Sequence, residues 1–227
     1  MWIKICGNTN LEDSQLAVEF GAHALGFIFA ESKRQVTPAQ VASITERLPE
    51  HIERVGVFYS HDAKEISDVV REARLNAVQL HGGVDLALVQ QLQEIFDNRI
   101  RFIQTVHWAI DSAENSGAVV GAQLREIRNA GRVDRVLIDS RVGQAGGGTG
   151  VSYDWKAARG VLAESTGNLK LIVAGGLRPE NVTTAIRELN PWGVDVSSGV
   201  EASLGHKDPE KLKAFIQRAL QAGVALV

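Results

Sequence analysis

The chain contains one cysteine, Cys6. That excludes an internal disulfide framework and any cysteine-rich metal cluster. The 6 histidines are scattered without paired ligand spacing, so no metal site is indicated. Net charge is nearly absent: 24 lysines and arginines against 27 aspartates and glutamates leave −3, with a pI near 6.1. That balance predicts no nucleic-acid partner and no anionic-membrane partner. No apolar run is long enough to cross a bilayer. A strand begins almost at once, which argues against a secretory leader, and a cytoplasmic protein is expected. The glycine fingerprint of dinucleotide-binding folds is missing after that strand. No proline- or serine-rich linker interrupts the chain, so residues 1–227 are read as a single domain. The 4 tryptophans show no spacing that suggests a cage or stacking platform.

What the chain does have is one pattern repeated from end to end. A short run of β-formers ends in small or polar residues, and a helical stretch follows. The expected strands are Trp2–Cys6, Ala24–Phe29, Arg54–Tyr59, Ala77–Leu80, Arg101–Val106, Arg135–Ile138, Lys170–Val173 and Val194–Ser197. Most are near-continuous apolar runs, as parallel strands covered on both faces require. Thr37-Pro38, Asp62, Pro179-Glu180 and Asp208-Pro209 are helix-start signals. The stretch Ala109–Gly117 is polar and fits neither pattern; a helix is expected to resume near Ala118. About eight strand–helix units predict an α/β fold, a closed TIM (β/α)8 barrel rather than an open doubly wound sheet.

In such a barrel, chemistry sits where strands end. The first strand delivers Cys6, either a base or nucleophile or a packing thiol. The sixth delivers Asp139, a carboxylate costly to bury unless paired or used. It reads as a general acid or base, or as a loop cap. Gly146-Gly147-Gly148-Thr149-Gly150 can turn successive N–H groups inward around an anion. Gly175 and Gly176 follow the seventh strand, and Ser198 and Gly199 the eighth, where this fold commonly binds phosphate. Arg34 could pair with a substrate carboxylate or be a solvated charge. His81 could contact a ligand or satisfy loop carbonyls.

Taken together, these segments resemble the phosphoribosylanthranilate isomerases, TIM-barrel enzymes of tryptophan biosynthesis. The resemblance is carried by Lys4-Ile5-Cys6-Gly7, Leu25-Gly26-Phe27-Ile28-Phe29, Ser32 with Arg34, Val55-Gly56-Val57-Phe58 and Val78-Gln79-Leu80-His81-Gly82. It continues through Gly147-Gly148-Thr149-Gly150, Tyr153-Asp154-Trp155, Ala174-Gly175-Gly176-Leu177 with Asn181-Val182, Val194 to Glu201, and Lys207-Asp208. It covers nearly the whole chain.

The resemblance implies an Amadori rearrangement of N-(5-phosphoribosyl)anthranilate to 1-(2-carboxyphenylamino)-1-deoxyribulose 5-phosphate. It puts the general base on Cys6 and the general acid on Asp139. It puts the anthranilate carboxylate on Arg34, and the phosphate on the glycine turns, with Gly148, Thr149, Gly150, Gly175, Gly176, Ser198 and Gly199 as binding residues. Such chemistry needs no cofactor and no metal. It needs two pKa values shifted in opposite senses: burial is expected to raise that of Asp139, and local positive charge to lower that of Cys6.

The stretch Gln104 to Ala109, the third glycine before Thr149, and Ser203-Leu204-Gly205-His206 depart from the family pattern. Two other readings compete. One is the sugar-imine isomerase of histidine biosynthesis, which resembles this family in fold but has an aspartate where this chain has Cys6. The other is a phosphosugar-binding barrel without catalysis. The barrel can bury its own core, so a monomer is expected, with a homodimer the alternative.

Overall fold

The apolar runs become parallel strands because each must be covered twice, by helices outside and by the opposite barrel wall inside. A computed structural model describes residues 1–110, 113–141 and 153–224. The strands are β1 (Trp2–Ile5), β2 (Ala24–Ile28), β3 (Glu53–Phe58), β4 (Ala77–Leu80), β5 (Arg101–Ala109), β6 (Arg135–Arg141), β7 (Lys170–Val173) and β8 (Gly193–Val196). They pair in sequence order, and β1 pairs with β8 to close the barrel. Between and after them run α1 (Leu11–Glu19), α2 (Pro38–Thr45), α3 (Ala63–Glu72), α4 (Leu86–Ile95), α5 (Ala113–Ala130), α6 (Trp155–Thr166), α7 (Val182–Leu189) and α8 (Pro209–Val224). The expected TIM barrel is the observed fold.

Helix starts follow their caps. Thr37 accepts from the Gln40 amide while the Gln40 side chain returns to the Thr37 N–H, a reciprocal capping box with Pro38 behind it. Asp62 caps α3 by accepting from the Lys64 and Glu65 N–H groups, and Asp154 caps α6 by accepting from that of Ala157.

Three local expectations change. The polar stretch after Val106 is partly strand: β5 stays in register with β6 as far as Ala109 opposite Arg141, and α5 begins at Ala113 rather than near 118. Asp139 consequently lies within β6, not just beyond it. Pro179-Glu180 does not open α7, which starts at Val182. The Asn181 side chain is used elsewhere: it donates to Gly176 O at 2.9 Å and accepts from Arg178 N at 2.9 Å, pinning the turn after β7. The unforeseen element is a short hairpin after β8. It consists of β9 (Glu201–Ser203) and β10 (His206–Lys207), turned at Gly205 with φ +78°. The departure noted at Ser203 to His206 is this turn.

Period-2 alternation decides what fills the barrel. An apolar layer of Ala24, Val55, Ala77, Ile103, Leu137, Ile172 and Ala174 crosses the interior. At the amino end of the strands, Trp2 stacks on Trp192 at 5.1 Å, and Arg135 forks onto Glu53 at 2.7 and 2.8 Å. This plug shuts that end, so the open end is the carboxyl one. A larger apolar core lies between strands and helices, including Ile5, Leu25, Phe27, Val136, Ile138 and Phe215.

Candidate active site

Residues two and four places beyond the inner apolar layer reach the open end, and there the interior turns polar. From β1, Lys4 and the following Cys6 share one face. From the end of β4 come Gln79 and His81, from β5 Thr105 and His107, from β6 Asp139, and from β8 Asp195 and the following Ser197. A cleft at this mouth, open to solvent on one side, is lined by Cys6, Arg34, His81, Asp139, Gly175, Gly176, Asp195, Ser198 and Gly199 among others. So Cys6, Asp139, Arg34, Gly175, Gly176, Ser198 and Gly199 meet at one place. Gly148, Thr149 and Gly150 lie outside the described residues.

Lys4 is fully buried, with Nζ 3.0 Å from Asp195 Oδ1. Burial alone would push its pKa down; Asp195 and Cys6 outweigh that and hold it above the ordinary lysine value. Cys6 is 7% exposed. Burial raises the thiol pKa, Lys4 opposes, Asp195 adds to the rise, and Lys207 opposes. The net direction is upward, the reverse of the sequence-based expectation. The cationic neighbours are present, but Lys4 is already engaged by Asp195, so its field is partly spent.

Asp139 moves as expected. Burial, then the nearby Asp195 charge, push its pKa up to about 7, against the Ser140 N–H and Lys4. His81 Nε2 lies 3.7 Å from Asp139 Oδ2. This contact is not an ion pair at neutral pH. Burial, His107 and Lys4 lower the His81 pKa to about 3, so the imidazole is neutral. Gln79 Nε2 lies 3.2 Å from His81 Nδ1 and 3.2 Å from Thr105 Oγ1, and the His107 ring meets His81 O at 2.9 Å. Ligand atoms of His81, His107 and Asp139 all lie within 4.8 Å of one another. They are the group among the described residues that could hold a metal ion, a grouping that sequence spacing did not indicate.

Arg34 is in the cleft wall but is not a bare cation. Its Nε and Nη2 donate to the two carboxylate oxygens of Glu201, each at 2.7 Å. That bidentate fork raises its pKa above the ordinary arginine value. The glycine turns are dictated by crowding. A Cβ on Gly199 would lie 1.8 Å from Leu177 O, and one on Gly175, at φ +82°, would lie 2.6 Å from Ser140 N. Backbone can approach a ligand closely only because these positions carry no side chain.

Sequence reasoning did not assign roles to Lys4, Asp195, Gln79, Glu201 or Lys207. For the first three a signal existed: counting back two residues from Cys6, from Ser197 and from His81 keeps the inner face of each strand. Glu201 and Lys207 stand in segments that carry the family resemblance, but nothing local gave them a role, since the hairpin that brings them in was not foreseen.

A closed parallel barrel, shut at its amino end and open at a polar cleft on its carboxyl end, defines a TIM-barrel enzyme. The family model described as N-(5'-phosphoribosyl)anthranilate isomerase matches residues 3–218. An N-(5'-phosphoribosyl)anthranilate isomerase from Pelobacter propionicus is 39% identical over 96% of this chain and 94% of its own. One from Bacillus cereus is 36% identical over 96% of this chain and 98% of its own. The crystal structure of phosphoribosyl anthranilate isomerase from Thermotoga maritima matches with TM-score 0.79 and 37% identity, over 97% of this chain and 99% of that one. A phosphoribosyl anthranilate isomerase in complex with reduced 1-(o-carboxyphenylamino)-1-deoxyribulose 5-phosphate matches with TM-score 0.78 and 36% identity, over the same shares. The chain belongs to the N-(5'-phosphoribosyl)anthranilate isomerase family.

Proposed function

We propose that this protein isomerises N-(5-phosphoribosyl)anthranilate to 1-(2-carboxyphenylamino)-1-deoxyribulose 5-phosphate in tryptophan biosynthesis, with Asp139 as general acid and Cys6 as general base. The observation that carries this reading is the meeting of Cys6 and Asp139 in one cleft with Arg34 and the turns at Gly175-Gly176 and Ser198-Gly199. Asp139, with a pKa near 7, still holds its proton on a large fraction of molecules at neutral pH. It protonates the furanose ring oxygen, the C1′–O bond opens, and a Schiff base forms. The Cys6 thiolate then takes the proton from C2′, leaving an enol-amine that tautomerises to the ketone. Lys4 beside the sulfur is the counter-charge that favours this thiolate.

Arg34 offers its remaining N–H groups to the anthranilate carboxylate. Gly175, Gly176, Ser198 and Gly199 take the phosphate on backbone N–H groups, as loops after the seventh and eighth strands do in this fold. We further read the protein as cytoplasmic. Among the described residues no helix is long and apolar enough to cross a membrane. We read it as a monomer, because the core is buried within one chain, with a homodimer the alternative that sedimentation would reveal.

The test is loss of anthranilate-type fluorescence when the protein meets freshly generated phosphoribosylanthranilate, with Cys6→Ser alongside. Rapid turnover by the wild type and a deep loss in the variant are expected. A folded wild type without turnover would sink the isomerase reading.

A further inference from the structure

Among the described residues, Lys207 is the most deeply buried cation that the reaction above does not use. Its side chain is 0% exposed, and that of Glu201, its partner on the same hairpin, is 7% exposed. Neither residue lines the cleft. Lys207 Nζ reaches Cys6 O at 2.7 Å, Glu201 Oε1 at 3.3 Å and Ser197 O at 3.4 Å. Three acceptors match the three N–H bonds of an ammonium; a neutral amine would aim its lone pair at one of these oxygens. Asp13, the other carboxylate nearby, accepts instead from the Lys207 backbone N–H at 2.8 Å.

Glu201 Oε1 is shared. It takes Lys207 on one side and Arg34 Nε, at 2.7 Å, on the other. An arginine already forked onto a carboxylate is, as a pair, close to neutral and would have little attraction for a second carboxylate. The third member changes that: two cations and one anion leave a charge of +1, and only Arg34 presents it to the cleft.

We propose that Lys207 is a specificity-determining residue acting through Arg34, its charge offsetting Glu201 so that the arginine fork stays selective for a ligand bearing a carboxylate. This rests on the reading of Arg34 given above and adds the residue that makes that reading electrostatically workable. Glu201 orients the fork, and Lys207 keeps it cationic. The same ammonium also ties the Cys6 carbonyl to the Ser197 carbonyl, holding the ends of β1 and β8 together beside the clamp.

The experiment measures dissociation constants for reduced 1-(o-carboxyphenylamino)-1-deoxyribulose 5-phosphate and for the same compound without its ring carboxylate. The proteins are wild type, K207M, E201Q and the double variant K207M/E201Q. Wild type should prefer the carboxylate-bearing ligand. K207M should cut that preference about tenfold, with a smaller loss, common to both ligands, from untying the ends of β1 and β8. Adding E201Q should restore much of it, because Arg34 then stands alone as a cation; a purely structural lysine would give no such rescue. Equal losses for both ligands in K207M, or no restoration in the double variant, overturns the proposal. If K207M does not fold, K207Q, which keeps a donor but not the charge, takes its place: a lost preference that E201Q restores supports the proposal, and an unchanged preference overturns it. A wild type that binds both ligands equally would remove the Arg34 reading itself, and this proposal with it.

Discussion

Gly26 of β2 faces Cys6 across the first two strands so closely that a Cβ at residue 26 would lie 2.7 Å from Sγ and 2.9 Å from Lys4 Cε. Contact that tight is not tolerated, so a side chain at position 26 has to displace the thiol, the lysine or both. Gly26→Ala should therefore lower kcat by tenfold or more while costing about 1–3 kcal/mol of stability, the usual range for overpacking a core. Turnover and denaturant unfolding measured on the same preparation check this. Unaltered kcat would mean that the sulfur has room to move, and that its position is not set by this contact.

Asp139→Asn should nearly abolish turnover, because an amide cannot protonate the ring oxygen. It should also stabilise the fold in a pH-dependent way. The folded pKa of Asp139 lies above its unfolded value, about 7 against 3.8. The stability this group contributes is therefore complete below about pH 4 and lost as the pH rises through 7. An asparagine does not ionise and escapes that loss. Its advantage should grow between those pH values, to at most roughly 4 kcal/mol, and then level off. Thermal unfolding of both proteins at pH 4 and pH 8 reads this. A gap that is the same at both pH values would show that Asp139 ionises as readily folded as unfolded.

The pH profile of kcat/KM follows from the two shifts. The acid has a pKa near 7, and burial places the base above the ordinary thiol value. The reactive form, thiolate with protonated carboxyl, is then a minority at every pH. Activity should be bell-shaped, rising through a limb near pH 7 and falling through one at the thiol pKa. Lys4→Met removes a charge that favours the thiolate, so the upper limb should move to higher pH. A profile with one limb only would contradict the pairing.

Arg34→Ala should raise KM with a much smaller effect on kcat, since the fork holds the substrate without entering the chemistry. It also strands the buried Glu201 carboxylate with Lys207 as its remaining cationic partner, so some loss of stability is expected. Steady-state kinetics with urea unfolding separates the two effects. An unchanged KM would exclude Arg34 from substrate binding.

Much of the barrel was legible from local signals. Thr37-Pro38 and Asp62 act within one turn, so their helices begin where neighbouring residues dictate. Eight apolar runs became eight strands for the same reason. Where local and distant demands conflict, the reading slipped. Val106 is not the end of β5, because pairing with β6 carries it on to Ala109. Pro179-Glu180 does not start α7, because Asn181 spends its side chain on the turn at Gly176.

The sequence alone determined the alternation of strand and helix, and with it the closed barrel and the gathering of Cys6, Asp139, Arg34 and the turns at Gly175 and Ser198 toward its open end. Periodicity and capping are short-range, and a linear chain displays them. The tertiary structure alone decided which charges face one another. That Lys4 meets Asp195, 191 residues away, and that Glu201 closes on Arg34 across 167, follows from barrel closure and the hairpin after β8. Closure also decided the sign of the Cys6 shift. Desolvation and Coulomb energy depend on what is near in space, and no spacing along the chain contains that distance.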